Sequence, residues 1–214
     1  MKPAILTANL GGFDKKMENV EQSVEYDFYR LTDVNFPPRS CSMTPRLQAR
    51  LAKMFGWQMI TDHDVYIWID SSCIFAERDS IEWFVKQCQD VDMVVFKHPN
   101  RSTIQQEADY LKHRLEIGCP YITPRYKNEL IDDQLDEIKA DTEYVDNLLI
   151  ASTVMVFKNN PRVKAMFKEW WYHTTRYHTD EQLSLPYAIW KTGCTIKVIP
   201  DSYLKIKYLK YVRK

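Results

Sequence analysis

Apolar and polar positions alternate along this chain in blocks that predict strands followed by helices. Ala4 to Ala8 is a short apolar run broken by Gly11-Gly12, and Tyr26 to Leu31 is a second, closed by Thr32-Asp33. Residues 34–45 are a Pro- and Ser-rich loop. Pro45 to Phe55 then has helical spacing, with Leu47, Leu51 and Met54 on one face and Arg46, Arg50 and Lys53 on another, and Gly56 in place to cap its C-terminus. Val65 to Ile69 is continuously apolar, the pattern of a strand covered on both faces. A helix is predicted from about Ser80, a strand at Met93 to Phe96, and helices over 102–116 and 126–140. Ser152 to Phe157 reads as a strand, Val163 to Thr175 as a helix, Thr179 to Lys191 as another, and Thr195 to Ile199 as the last strand. Strands alternating with helices imply an α/β fold with a mixed, mostly parallel central sheet flanked by helices. With no internal repeat or low-complexity linker, one domain over 1–214 is expected.

Composition narrows the class. The chain has 214 residues, 45% of them hydrophobic, so it can bury a core. Its 29 basic and 29 acidic residues cancel, and whole-chain charge favours no polyanionic partner. Charge is uneven only at the end. Residues 205–214 are basic and tyrosine-bearing, a terminal strand or helix with its lysines outside, or a phosphate-facing tail that would permit DNA binding. Cys41, Cys73, Cys88, Cys119 and Cys194 are scattered without a CxxC pair, as in a reducing compartment. The first residues are too short an apolar run for a signal peptide, and no stretch approaches the ~18 apolar residues of a membrane span, so a cytoplasmic protein is expected (host cytoplasm if phage-encoded). A Gly-x-Ser-x-Gly elbow and an HExxH helix are both missing, which disfavours the common hydrolases.

The candidate chemistry starts where the Val65 strand ends, in Asp70-Ser71-Ser72. Ligands of open α/β sheets sit outside the carboxyl ends of strands, and a carboxylate there suits a divalent cation held against a diphosphate. Asp70 is therefore the candidate metal ligand, with Ser72 as a weaker or water-mediated partner; the same residues also make an ordinary capping turn. Asp62-His63-Asp64 has an Asp-x-Asp spacing but precedes the strand, and reads as a turn. Arg46, Arg50 and Lys53 form one cationic row, either a diphosphate grip or a solvated helix face. Gly11-Gly12 would let backbone approach a nucleotide, with Asn9 and Asp14 beside it, and Asp33 is either a ribose contact or a cap. Glu181 is the candidate general base or a helix-start carboxylate. Trp170 and Trp171 read as core.

Several of these segments together resemble one family, the glycosyltransferase-like domain of bacterial, phage and plant proteins that includes plant mucilage-related hexosyltransferase-like proteins. The carrying segments are Thr7-Ala8-Asn9-Leu10-Gly11-Gly12-Phe13-Asp14, Arg46 with Arg50 and Lys53, and Ile67-Trp68-Ile69-Asp70-Ser71-Ser72. Phe96-Lys97-His98-Pro99-Asn100-Arg101 with Glu107-Ala108, and Trp170-Trp171 with Glu181-Gln182-Leu183-Ser184, complete the set. The order spans about residues 4–199. One departure is that the family's late motif looks like Arg-Asp-Gln-Leu-Ser, whereas this chain has Asp180-Glu181-Gln182, with Glu181 in place of Asp.

The resemblance implies a GT-A-like, Rossmann-related fold. It also implies a glycosyltransferase that uses a nucleotide-sugar donor (a UDP-sugar by default), Mn²⁺ or Mg²⁺, and a glycan or other hydroxyl acceptor. The donor would meet Thr7, Asn9, Gly11, Gly12, Asp14, Asp33 and the cationic row. His98, Arg101, Glu107 and Gln182 would line the sugar or acceptor side, and Asp70 and Glu181 would be catalytic. A hydroxymethylated base of phage DNA is a second acceptor class. The other reading is a nucleotide-sugar or glycan-binding module without turnover.

Overall fold

The computed structural model describes residues 2–14, 18–38 and 42–212; Cys41 and the last two basic residues of the tail lie outside them. β1 (Ala4–Asn9) and β2 (Asp27–Thr32) come first, then α1 (Pro45–Met59), β3 (Val65–Ile69), β4 (Cys73–Phe75) and α2 (Ser80–Gln87). β5 (Met93–Lys97) leads to α3 (Ile104–Glu116), α4 (Thr123–Tyr126) and α5 (Ile131–Ala140). β6 (Ile150–Lys158), α6 (Pro161–Arg176), a 3₁₀ turn at Glu181–Leu183, α7 (Leu185–Thr192), β7 (Ile196–Ile199) and β8 (Leu209–Tyr211) follow.

Six strands form one sheet in the order β2-β1-β3-β6-β5-β7. β1 pairs in parallel with β2 and β3, and β5 with β7, while β6 runs antiparallel to both β3 and β5. The carboxyl ends of β1, β2, β3 and β5 therefore share one sheet edge with the start of β6. This is the mixed, mostly parallel α/β sheet that the strand–helix alternation predicts. All five residues of β3 are buried, because β3 lies inside the sheet with helices or chain on both faces. Leu6, Tyr66, Trp68, Met155 and Phe157 pack beneath α1, α6 and α7, and Ile5, Ile67, Val94 and Val156 pack beneath α2 and β4.

Helix starts are set by caps. Thr44, Thr103 and Asn160 each accept a bond from the backbone N–H three residues on, and Pro45 and Pro161 follow two of them.

The structure departs from the sequence pattern in four places. α1 continues past Gly56, which is no cap: a Cβ there would lie 2.8 Å from Leu6 Cδ1, so glycine is what lets α1 sit down on β1. Gly56→Ala gains about 1 kcal/mol of helix propensity but overpacks a fully buried contact at about 1–3 kcal/mol, so a net loss near 1 kcal/mol is expected in urea unfolding. The predicted 126–140 helix is two pieces, α4 and α5, separated by Asn128 in a left-handed turn at φ 68°. The helix predicted from Thr179 begins only at Leu185, after the 3₁₀ turn, with Pro186 in its first turn. β4 and β8 are additional: the tail returns to pair antiparallel with β4, Lys205, Lys207 and Lys210 staying exposed. Asp62 takes φ 69° in the turn before β3, so the Asp-x-Asp spacing is indeed turn geometry.

Candidate functional site

The loop after β1 is locked before any ligand enters. Asn9 Nδ2 donates to Asp14 O at 2.6 Å, and Asp14 N returns a bond to Asn9 Oδ1 at 3.1 Å. Gly11 and Gly12 both have positive φ, 69° and 62°, which a side chain would strain. Gly11 N donates to Asp33 Oδ2 at 2.9 Å, tying the ends of β1 and β2 together. The Asp14 carboxylate in turn accepts from the Ser71 hydroxyl, which brings the β1 loop to the Asp70 loop. Thr7 is buried, with no hydrogen-bond partner for its hydroxyl among the described residues.

Asp70 is held by backbone and side chain. Its N–H donates to Thr153 O at 2.9 Å, and its Oδ1 accepts from Trp68 Nε1 at 2.7 Å and lies 3.2 Å from Lys53 Nζ. Both side-chain contacts fall on one oxygen. The Ser72 carbonyl accepts from Val212 N at 2.8 Å, so the C-terminal strand is fastened to this loop. Among the described residues no group of three or more His, Cys, Asp or Glu side chains gathers into a metal cage. A hard cation at Asp70 would need oxygens from a diphosphate and water, and Mg²⁺ in particular is commonly held this way. The donor set fits that arrangement.

The cationic row on α1 is neither a solvated face nor a free grip. Lys53 is fully buried, and its ammonium meets Glu181 Oε1 at 2.9 Å, Ser152 O at 3.1 Å, Ser152 Oγ at 3.4 Å and Asp70 Oδ1 at 3.2 Å. Ser152 O is open to it because the β5–β6 register shifts between Val94 and Phe96, interrupting the ladder beside Ser152. Arg50 Nε approaches Glu181 Oε2 at 2.5 Å, off line for a hydrogen bond. Arg46 stacks over Tyr126 at 4.5 Å and binds Arg125 O at 2.6 Å and Thr179 Oγ1 at 2.8 Å, with Glu129 at 3.5 Å. The row works inward, as the charged frame of the site.

Glu181 is correspondingly unsuited to the general-base role expected of it. Burial pushes its carboxyl up, but Arg50 and Lys53 outweigh burial and hold it down to about 2. Its Oε1 also accepts from the Ser152 hydroxyl at 2.9 Å, and Trp170 Nε1 fixes its carbonyl at 2.7 Å. A carboxylate so paired has little tendency to take a proton at neutral pH. The neighbouring Asp180 behaves in the opposite sense. Burial first, then the Glu181 and Glu107 carboxylates, push it up to about 7 against Arg50 and the Gln182 N–H.

That difference has a pH signature. An unfolded aspartate ionises near pH ~4. Between about pH 4 and 7 the folded chain keeps a proton that the unfolded chain has lost, so Asp180 lowers stability as pH rises through that window. Glu181 contributes the reverse, stability present above its unfolded pKa and lost as pH falls toward about 2. In thermal melts the Asp180→Asn protein should gain on the wild type by a margin that widens from pH 5 to pH 8. A constant margin would show that Asp180 is not the titrating group.

At the end of β5, His98 Nδ1 accepts from Arg101 N at 3.1 Å and Asn100 N at 3.3 Å. Burial, then Arg101, pushes the His98 ring down to about 4, so it stays neutral. Arg101 pairs with the buried Glu107 carboxylate and lies 4.0 Å over the Tyr110 ring. Gln182 is half-buried in the 3₁₀ turn. The strand ends thus bring the β1 loop, Asp33, Asp70 and His98 to one edge, with Arg50, Lys53 and Glu181 behind Asp70. Trp68 and Ser152 sit in strands by their apolar pattern, and nothing in that pattern marks the indole N–H or the freed carbonyl.

No family model matches the chain, and no curated protein matches it. Among solved structures it is similar to a glycosyltransferase involved in the glycosylation of the major capsid of PBCV-1, at 9% identity over 94% of this chain and 83% of that one, TM-score 0.49. It is similar to the apo bifunctional glycosyltransferase WbbM at 13% identity over 93% of this chain and 38% of that one, TM-score 0.49. It is also similar to the galactosyltransferase LgtC in complex with donor and acceptor sugar analogues, at 9% identity over 91% and 72%, TM-score 0.40. At identities this low the site has to be read from the chain's own residues. No helix among the described residues is long and apolar enough to cross a membrane.

Proposed function

We propose that this chain is a glycosyltransferase that moves a sugar from a nucleotide-sugar donor, a UDP-sugar in the first instance, to a hydroxyl acceptor such as a glycan. The observation that carries the reading is Asp70. It stands at the carboxyl end of a fully buried strand, with one oxygen pinned by Trp68 and Lys53 and the other outside those contacts. Beside it is a pre-locked Gly11-Gly12 loop whose backbone a diphosphate or ribose can approach.

In this reading Asp70, with Ser72 or water, would hold Mn²⁺ or Mg²⁺, which when bound neutralises charge growing on the leaving diphosphate. Asn9, Gly11, Gly12 and Asp33 position the nucleotide, and Asp14 holds that loop's shape through Asn9 and Ser71. Arg50 adds positive potential from behind, while Lys53 and Arg46 keep the frame rigid. Glu181 is a positioning counter-ion. His98, Arg101 and Gln182 border the sugar or acceptor side, with Glu107 orienting Arg101.

The test is a thermal-shift panel of nucleoside diphosphates and nucleotide sugars, with Mn²⁺ and with chelator. A ligand near 100 Kd stabilises by about 2.7 kcal/mol, roughly 5–10 °C for a domain of this size. A metal-dependent shift with one nucleotide class is expected. No shift with any nucleotide removes the donor site. Binding without release of nucleotide or transfer across acceptors would leave a glycan-related binding module instead.

A further inference from the structure

Away from the strand-end site, two open cavities meet at Tyr144, which lines both. The first, about 310 Å³, is lined by Trp190, Pro186, Ile189 and Leu148 with Glu143 and Asn147 at its polar side. The second, about 280 Å³, has Ile104, Leu135 and Ile138 as its floor and Lys139 and Thr142 among its polar groups. The loop between them is firmly held. Asp146 accepts from Ile104 N at 2.7 Å and Gln105 N at 2.9 Å, capping α3, and Asp141 accepts from the Tyr187 hydroxyl. Trp190 is stacked on Tyr187 (centroids 5.8 Å, interplanar 28°) and meets Tyr144 at 5.3 Å, yet 39% of it stays exposed. Among the described residues the Glu143 and Asn147 side chains make no hydrogen bond or ion pair.

We infer that this double cavity is a glycan-binding subsite for two successive neutral sugar units. A pyranose ring has an apolar C–H face and a rim of hydroxyls that both donate and accept. It therefore needs a fixed, half-exposed aromatic plate beside a carboxylate and an amide, which is what Trp190, Tyr144, Glu143 and Asn147 supply. An anionic ligand would meet the Glu143, Asp141 and Asp146 carboxylates with only Lys139 to offset them. The loop leads to the strand-end site: Leu149 O, at its end, accepts from His98 N at 2.9 Å. That the bound glycan is the acceptor rests on the glycosyltransferase reading; that the cavity binds sugar does not.

The experiment is titration of the full chain, without nucleotide, with neutral di- and trisaccharides of glucose, galactose, mannose and xylose, followed by calorimetry and tryptophan fluorescence. At least one is expected to bind with Kd on the order of 0.1–1 mM. Trp190→Ala and Glu143→Gln should each weaken it by about tenfold or more, one factor of 1.4 kcal/mol, while Asp70→Asn leaves it unchanged. Glu143 is exposed, so its glutamine variant keeps the test valid if Trp190→Ala fails to fold. The inference fails if no saccharide binds at roughly 10 mM, if both variants bind as wild type does, or if only an apolar dye occupies the cavity. A nucleotide shift without sugar binding overturns this subsite alone, whereas sugar binding without a nucleotide shift overturns the donor site alone.

Discussion

Lys53→Met should destabilise the fold by about 3–5 kcal/mol, read as a lower urea midpoint, although methionine fills nearly the same volume. The loss comes from what the ammonium leaves behind. Glu181, Ser152 O and Asp70 all lean on it, and without it the buried Glu181 keeps one cationic neighbour, Arg50, beside the Ser152 hydroxyl. A buried charge stripped of one partner retains its full desolvation cost. Adding Glu181→Gln to Lys53→Met removes the stranded charge, so the double variant should recover much of the loss, a coupling well outside additivity. A single-variant cost under about 1 kcal/mol, or a double variant that only sums two losses, would mean the network does not hold this region together. Taken whole, such a network adds little net stability over an apolar core of equal volume. Its value in this chain is positional: it sets Asp70 and the Glu181 turn in one geometry.

The reach of that network explains what the sequence could and could not disclose. The row Arg46, Arg50, Lys53 is legible from its spacing, but whether it faces water or the interior depends on partners far along the chain. Ser152 lies 99 positions from Lys53 and Glu181 lies 128. Local periodicity assigns a charged row to solvent by default, and long-range carboxylates reverse the assignment. β3 was legible because five apolar residues in a row have few alternatives. Gly56 looks like a cap in the sequence because its helix-ending property is local, whereas its use here, close approach to Leu6, is tertiary. β4 and β8 are three-residue strands, too short to show a period, and β8 sits in a lysine-rich stretch that charge alone describes better than alternation does.

Asp70 offers the sharpest separation of chemistry from architecture. Its side chain is 32% exposed, so the Lys53 contact is partly screened and Asp70→Asn should cost the fold about 1 kcal/mol or less. Asparagine still presents an oxygen to the Trp68 N–H, and the backbone bond to Thr153 O is untouched. What disappears is the formal charge beside the Gly11-Gly12 loop. If that charge holds a divalent cation against a leaving diphosphate, transfer should fall by about 10²–10³-fold, and the metal-dependent part of the nucleotide shift should vanish with it. Saccharide binding at the Trp190 cavity should remain, which rules out general damage. Undiminished transfer in a folded Asp70→Asn protein would exclude Asp70 from the chemistry and reduce its pairing with Lys53 to a structural one. A loss of transfer with the metal-dependent shift intact would instead place Asp70 at the reacting sugar. The same variant thus decides between a metal ligand and a substrate contact, because only the first couples nucleotide affinity to the cation.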